Sequence, residues 1–194
     1  SYKKAFRRIV DFLRRRNLSN YATVFASSST VKPGQFEEYD PGSEYYDWIG
    51  YSWWGNEKKF GDAAPALAYA RKLKKPVFVA ESTARGHYFD KEDSEELWSG
   101  WFEEFFQHIE KNKDVIRAVS YINADWDGQD MWDGWGQTRI ETNPLVQQRW
   151  QKKMAESTFI NAADNPHKEI GFTSPVTRTQ GSNSNQPPYK DASL

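Results

Sequence analysis

Several classes of protein are excluded by what the sequence lacks. It contains no cysteine, so disulfides and thiolate metal sites are absent. No apolar run approaches the roughly 18 residues that a membrane-spanning helix needs. The 26 Lys and Arg residues balance 27 Asp and Glu residues, and no long basic block suggests a nucleic-acid surface. The glycine-rich phosphate-binding patterns G-x-G-x-x-G and G-x-x-x-x-G-K-[ST] do not occur, which argues against a nucleotide-binding protein.

Aromatic side chains, by contrast, are abundant. They make up 16% of the 194 residues, with nine Trp and ten Tyr. Rings with an apolar face and a polar edge suit wet binding sites, and flat sugar faces are one ligand class that uses them. The alternative is that these rings are large core residues, and composition alone leaves both roles open.

Hydrophobic periodicity predicts an alternation of helices and strands. Helical spacing marks four segments, at residues 2–16, 61–75, 93–112 and 144–157. Four shorter apolar runs are predicted as strands, at residues 21–27, 47–52, 76–80 and 115–122. A short helix can follow the first strand, and Asp93 with Glu96 indicates a helix N-terminus. This alternation is typical of parallel βα units.

The fold class predicted from this order is α/β. Four βα units are half of a (β/α)8 TIM barrel, which usually takes about 250 residues. A small open sheet is the competing architecture, but it normally carries a glycine-rich phosphate loop after its first strand. Residues 1–160 are therefore predicted to form half of a barrel. Residues 161–194, which become rich in Ser, Asn and Pro, are predicted to be a tail or a strap over the surface.

A carboxylate stands at the end of the third predicted strand. Residues 76–80 read PVFVA and are followed directly by Glu81. Barrel enzymes build their active sites at the carboxyl ends of their strands, so Glu81 is a candidate catalytic group. The alternative is that Glu81 caps the next loop or pairs with Arg85. Polar or aromatic groups follow the other three strands at equivalent positions: Ser27, Ser52 with Trp53 and Trp54, and Asn123 with Trp126.

Four stretches within residues 2–155 resemble the C-terminal half of the catalytic barrel of glycoside hydrolase family 26, the β-mannanase family of retaining glycosidases. They are YKKAFRRIVDFLRRRNLSNYATVFASS, YDPGSEYYDWIGYSWW, KPVFVAES, and VIRAVSYINADWD with WGQTRIETNPLVQQRW. Each motif alone is moderately specific, and the four in this order and spacing are a strong signal. The resemblance implies that the chain supplies strands five to eight of the barrel.

The resemblance also implies a reaction. Glu81 would be the nucleophile of a retaining endo-acting glycosidase that cleaves a β-linked plant or algal polysaccharide such as β-mannan. The acid/base would lie upstream of residue 1, in a missing N-terminal half-barrel belonging to the same gene product or to a second chain. Retaining enzymes hold the two carboxyl groups about 5–5.5 Å apart. No cofactor, metal, nucleic acid or membrane is implied, and the expected location is secreted or extracellular, although no signal peptide opens the chain.

The predicted substrate contacts are Trp53, Trp54, Ser52, His87, Asn123 and Trp126. Glu44, Glu57 and Glu92 lie in loops and are weaker candidates for the second carboxylate. The segment DWDGQD lacks the oxygen-ligand spacing of a calcium loop. Ser52 and Trp54 stand where the family often has an aspartate and a tyrosine. This departure leaves two alternatives open: a catalytically silent carbohydrate-binding barrel, and an endo-β-glucanase or xylanase of the same clan.

Overall fold

Four parallel strands form the centre of the fold in a computed structural model that describes residues 1–28, 34–55 and 62–160. The larger sheet has the order β1-β2-β3-β5, and a second, two-stranded sheet pairs β4 with β6. The strands are β1 Val24–Ser27, β2 Trp48–Trp53, β3 Val77–Ser82, β4 His87–Tyr88, β5 Ile116–Val119 and β6 Gly136–Gln137. The four strands predicted from the sequence are confirmed, and the small sheet is additional.

Helices follow or precede the strands of the larger sheet, as predicted. They are α1 Tyr2–Arg15, α2 Gln35–Tyr39, α3 Ala64–Leu73, α4 Ser94–Leu97, α5 Glu103–Lys111 and α6 Pro144–Met154. A π-helical turn, Trp98–Phe102, joins α4 to α5 within the single helix expected there. The Asp93 carboxylate accepts hydrogen bonds from the amides of Glu95 and Glu96, which confirms the predicted helix start. Short 3-10 helices lie at Ser43–Tyr45, Asp130–Trp132 and Ile140–Thr142.

The described residues fall into two compact units, one from Ser1 to Trp150 and a second that begins at Gln151. The first unit contains both sheets. The second contains the end of α6, where the amide of Ala155 still donates to the carbonyl of Gln151 at 3.1 Å. The predicted tail, residues 161–194, lies outside the described residues.

The two faces of the larger sheet differ in burial. On one face, Ile49, Tyr51, Val77 and Val79 are completely buried against the helices. On the other face, Phe78 of β3 stays partly exposed. Strands of parallel sheets are normally covered on both faces. The described part of the chain therefore leaves part of the second face of its sheet uncovered.

Helix α1 also carries apolar surface that the described chain leaves uncovered. Phe6 of this helix packs against Phe25 of β1, with ring centroids 6.3 Å apart. Ile9 is nevertheless 61% exposed and Phe12 is 45% exposed. Val10 is the buried residue of this helix. Only part of the apolar stripe predicted for residues 2–16 therefore packs on the sheet.

None of the helices in the described ranges combines the length and the apolar character needed to cross a bilayer.

Candidate active site

A β-bulge decides where Glu81 points. In the pairing of β2 with β3, Tyr51 lies opposite Val79, but Ser52 lies opposite Glu81 instead of Ala80. Successive side chains of a strand alternate between the two faces, so the extra residue returns Glu81 to the face that Phe78 occupies. The carboxylate therefore projects from the uncovered face, at the carboxyl end of the sheet.

Glu81 is held there by its neighbour on β2. The Ser52 hydroxyl donates a hydrogen bond of 2.8 Å to Glu81 Oε2. Ser52 is 8% exposed, whereas Glu81 is exposed. β3 runs to Ser82, so Glu81 is a residue of the strand itself. The predicted strand ended one residue earlier, directly before Glu81. A carboxylate in this setting is fixed in position while one side remains open to a reacting partner.

Trp53 lies on the opposite face from Ser52. It is 4% exposed, and its ring packs on Trp101, Phe105 and His108 with centroid distances of 5.3, 5.2 and 5.6 Å. Its Nε1 is buried without a hydrogen-bond partner among the described residues. This geometry corrects the prediction that Trp53 stacks on a sugar, because the ring lies in the core between the sheet and α5.

Trp126 is buried as well. It is 8% exposed, and its Nε1 donates to Thr138 Oγ1 at 3.1 Å. The Thr83 and Thr138 hydroxyls lie 2.8 Å apart and join the two loops beneath the ring. The geometry thus favours the packing role for Trp126 over the predicted sugar contact.

A cluster of four tryptophans lies above the carboxyl end of β2 and β3. Trp135 is its centre, and its ring centroid lies 5.4 Å from that of Trp54, 5.2 Å from that of Trp126 and 4.8 Å from that of Trp132. The Arg85 guanidinium stacks over Trp135 at 4.0 Å. Trp54, Trp132 and Trp135 are only half-buried. The sequence prediction included Trp54 but missed the other two, although W-D-G-W, which repeats tryptophan three residues apart, was a visible signal.

Asn123 and His87 both stabilise loops. The Asn123 side chain donates to Glu141 Oε2 at 2.8 Å and accepts from the amide of Ile140 at 2.7 Å. His87 Nδ1 lies 2.8 Å from Glu92 Oε2, and each side chain is about one-third exposed. Asn123 lies in the loop after β5 and His87 in the short strand β4, and the partners of both among the described residues are protein groups.

The loop that follows β5 is fastened to the loop that follows β3. The Tyr88 hydroxyl donates to Asp127 Oδ2 at 2.6 Å, and the Gly136 amide donates to Asp127 Oδ1 at 2.8 Å. These two bonds lower the pKa of the Asp127 carboxyl, chiefly the one from Tyr88. Asp127 of DWDGQD therefore serves as a loop connector. The described residues contain no group of three or more His, Asp or Glu side chains suited to a metal ion.

Few in-chain carboxylates remain as partners for Glu81. Glu44 lies in the 3-10 helix before β2, at the amino end of the sheet and therefore at the wrong end of the strands. Glu92 accepts hydrogen bonds from the Tyr88 amide and pairs with His87. Glu57 lies outside the described residues.

Comparisons with known proteins connect this geometry to glycoside hydrolases. No protein-family profile matches the chain. A β-1,3-xylanase of a Vibrio species, TXYA, is 30% identical over a match that covers 89% of this chain and 42% of that protein. A GH26 β-mannanase from Bacteroides ovatus superposes with a TM-score of 0.59 at 17% identity, covering 84% of this chain and 45% of that chain. An endo-β-1,4-mannanase of family 26 from Cellulomonas fimi gives a TM-score of 0.58 at 14% identity, covering 81% and 36%.

The resemblance to glycoside hydrolase family 26 that the motifs predict is confirmed by these comparisons. At 14–17% identity, the structural likeness shows the fold alone, an α/β fold whose parallel sheet resembles that of the barrel enzymes. The chain spans about two-fifths of the length of the curated relatives it matches.

Proposed function

We propose that this chain, which resembles family 26 glycoside hydrolases, supplies strands five to eight of a (β/α)8 barrel in a retaining endo-acting glycosidase. The observation that carries the proposal is Glu81, an exposed carboxylate fixed by Ser52 on the open face of a parallel sheet, at its carboxyl end. Barrel enzymes place their catalytic groups at that end of their strands.

In the proposed reaction, one Glu81 oxygen attacks the anomeric carbon of the sugar. The bond between that carbon and the glycosidic oxygen breaks, and the leaving sugar takes a proton from a second carboxyl group about 5–5.5 Å away. The resulting glycosyl-enzyme ester is then hydrolysed by water, which gives its proton to the same second group. That second group is proposed to belong to the segment that completes the barrel.

The completing segment is proposed to be the N-terminal half-barrel, from the same gene product or from a second chain. Three features support this proposal. Part of one sheet face is uncovered, and Ile9 and Phe12 of α1 are exposed. The chain also spans only about two-fifths of the length of its curated relatives. An apolar groove also runs beside the outer edge of β1, lined by Tyr2, Phe36 and Tyr39 among others. A preceding strand and helix of the barrel would bury all of this surface.

The proposed substrate is β-1,3-xylan. The relatives named as β-1,3-xylanases are 30% identical to this chain, whereas the mannanases are 14–17% identical and support only the fold. Ser52 and Trp54 at the end of β2, where mannanases of the family often have aspartate and tyrosine, also favour a substrate other than mannan. Because a polysaccharide is too large to enter a cell, a secreted or extracellular location is proposed with it.

The test uses the protein with its barrel completed by the upstream segment. It is incubated with β-1,3-xylan, β-1,4-mannan and β-1,3-glucan, and the release of reducing ends is measured for each. We expect hydrolysis of β-1,3-xylan, with the β-anomer of the product appearing first by NMR, as retention requires. Preference for mannan would overturn the substrate assignment, and α-anomer first would overturn the mechanism.

A variant separates catalysis from binding. Glu81→Ala should lower kcat by several orders of magnitude while oligosaccharide binding and the unfolding midpoint stay close to those of the parent protein. Asp90→Ala, at an exposed carboxylate just after β4, is the matched control and should retain most activity. Binding without hydrolysis in the unmodified protein would instead indicate a catalytically silent carbohydrate-binding barrel.

A further inference from the structure

We propose that Ser52 is a positioning residue that assigns different roles to the two oxygens of Glu81, an inference that rests on the proposed function. Ser52 anchors Oε2, and Oε1 is left as the atom that attacks the sugar. The predicted role of Ser52 was contact with the substrate, and the position is one at which the chain departs from the family pattern.

The backbone is arranged to bring these two residues together. Without the bulge in β3, Ser52 would lie opposite Ala80, and Glu81 would turn toward the helices that cover Tyr51 and Trp53. With the bulge, the Ser52 hydroxyl and Glu81 Oε2 are 2.8 Å apart on the same face. A bulge beside an active site commonly serves to redirect one side chain in this way.

The hydrogen-bonding capacity of Ser52 is the second argument. A serine hydroxyl has one proton to donate, and here that proton goes to the carboxylate. Ser52 is 8% exposed, so little of its surface is left for a sugar, while Glu81 is exposed. Oε1 accepts no hydrogen bond from the described residues, so the uncommitted lone pairs of the carboxylate are on that oxygen.

The third argument concerns the rotamer of Glu81. The bond from Ser52 fixes the direction of Oε2, and with it the direction of Oε1 on the open face of the sheet.

The experiment compares Ser52→Ala and Ser52→Thr in the completed barrel, with β-1,3-xylan as substrate. Loss of a hydrogen bond to a charged group should lower kcat by about 10- to 100-fold. KM should change by less than about twofold, since the ground-state contacts to the sugar remain.

Ser52→Thr retains the hydroxyl and should restore most of kcat. Ser52→Cys, which has similar size but only a weak donor, gives the same comparison if the alanine variant does not fold. Unchanged kcat in the alanine or cysteine variant would overturn the inference, as would a rise in KM at constant kcat, which would mark Ser52 as a substrate contact.

Failure of the inference is distinguishable from failure of the proposed function. If Glu81→Ala retains hydrolysis, Glu81 is not the nucleophile and both proposals are wrong. If Glu81→Ala abolishes hydrolysis while Ser52→Ala behaves like the parent, the nucleophile stands and only the positioning role is refuted.

Discussion

The hydroxyl of Tyr51 and Nε2 of His108 lie 2.6 Å apart and share a hydrogen bond that joins β2 to α5. The imidazole also stacks on Trp53 at 5.6 Å. Burial, and secondarily the charge of Lys111, lower the pKa of His108 to about 4, with a small opposing effect from Asp62. His108 is therefore neutral in the folded protein at pH 7, and it lies behind the strand that carries Ser52.

Because the pKa of His108 is lowered by folding, the folded protein should lose stability in mild acid. In the unfolded chain, His108 titrates near pH 6.5, so protons bind preferentially to that state once the pH falls below this value. The stability that the folded state gains by keeping His108 neutral is fully present above pH 6.5, and it is lost progressively as the pH falls to about 4. The lost free energy of unfolding should reach about 3 kcal/mol at most, since each unit of pKa difference corresponds to about 1.36 kcal/mol.

Urea unfolding between pH 7.5 and pH 4 measures this effect, with His108→Gln as the comparison. The glutamine variant has no imidazole to titrate, so its stability should fall less over the same interval, whatever its stability at pH 7.5. Equal slopes for the two proteins would contradict the assignment to His108.

Buried and half-buried tryptophans should respond differently to truncation. Trp53→Ala and Trp126→Ala should each lower the free energy of unfolding by about 3–5 kcal/mol, as expected for core tryptophans. Trp135→Ala should cost about 1–2 kcal/mol and should weaken binding of a xylo-oligosaccharide about tenfold, or ~1.4 kcal/mol. Calorimetry on the completed barrel measures both quantities. Normal stability with weakened binding in Trp53→Ala would restore the sugar-stacking role that its burial argues against.

Gly134, in the loop after β5, and Gly136, the first residue of β6, provide a matched pair. Gly136 has φ +92°, and a Cβ there would lie 2.1 Å from the His87 carbonyl oxygen. Gly134 has φ +77° but nothing within 4 Å of its Cβ position. Both alanine variants bear backbone strain at a positive φ. Only the Cβ at position 136 meets the His87 backbone, so only Gly136→Ala should also separate β4 from β6. Limited proteolysis should cut this variant near residues 87 and 136 much faster than Gly134→Ala, and equal rates would show that the close approach is unimportant.

Asn123→Asp tests the anchor of the same loop. The substituted carboxylate can still accept from the Ile140 amide, but it faces Glu141, whose pKa the Asn123 side chain now lowers by donating to it. Repulsion between the two carboxylates should raise the pKa of Glu141, which NMR titration of its side chain detects. The loss of stability relative to the parent protein should be larger at pH 7, where both carboxylates are ionised, than at pH 4. An unchanged pKa would indicate that the two side chains are not in contact.

The alternation of apolar runs was sufficient to predict the four strands of the larger sheet and the helices around them. The bulge at Ala80 was not predictable in this way, because it depends on pairing with β2 and not on composition. Trp53 was predicted as a sugar contact, although it shares the parity of Ile49 and Tyr51, which point to the helices. The small sheet was not predicted, because a strand of two residues is too short to show a hydrophobic period. Its pairing depends on the close approach of the Gly136 backbone to His87.

The one-sided burial of the larger sheet has a consequence for its synthesis. Ribosomes produce N-terminal segments first, at about 5–20 residues per second. In a single gene product, the proposed N-terminal half-barrel would already have been synthesised when β1 is made. Each later strand of the sheet pairs with the one made before it, so the exposed side of Phe78 would meet its cover within seconds. Made as a separate chain, the same surface would stay open to chaperones and to other nascent chains until its partner arrived.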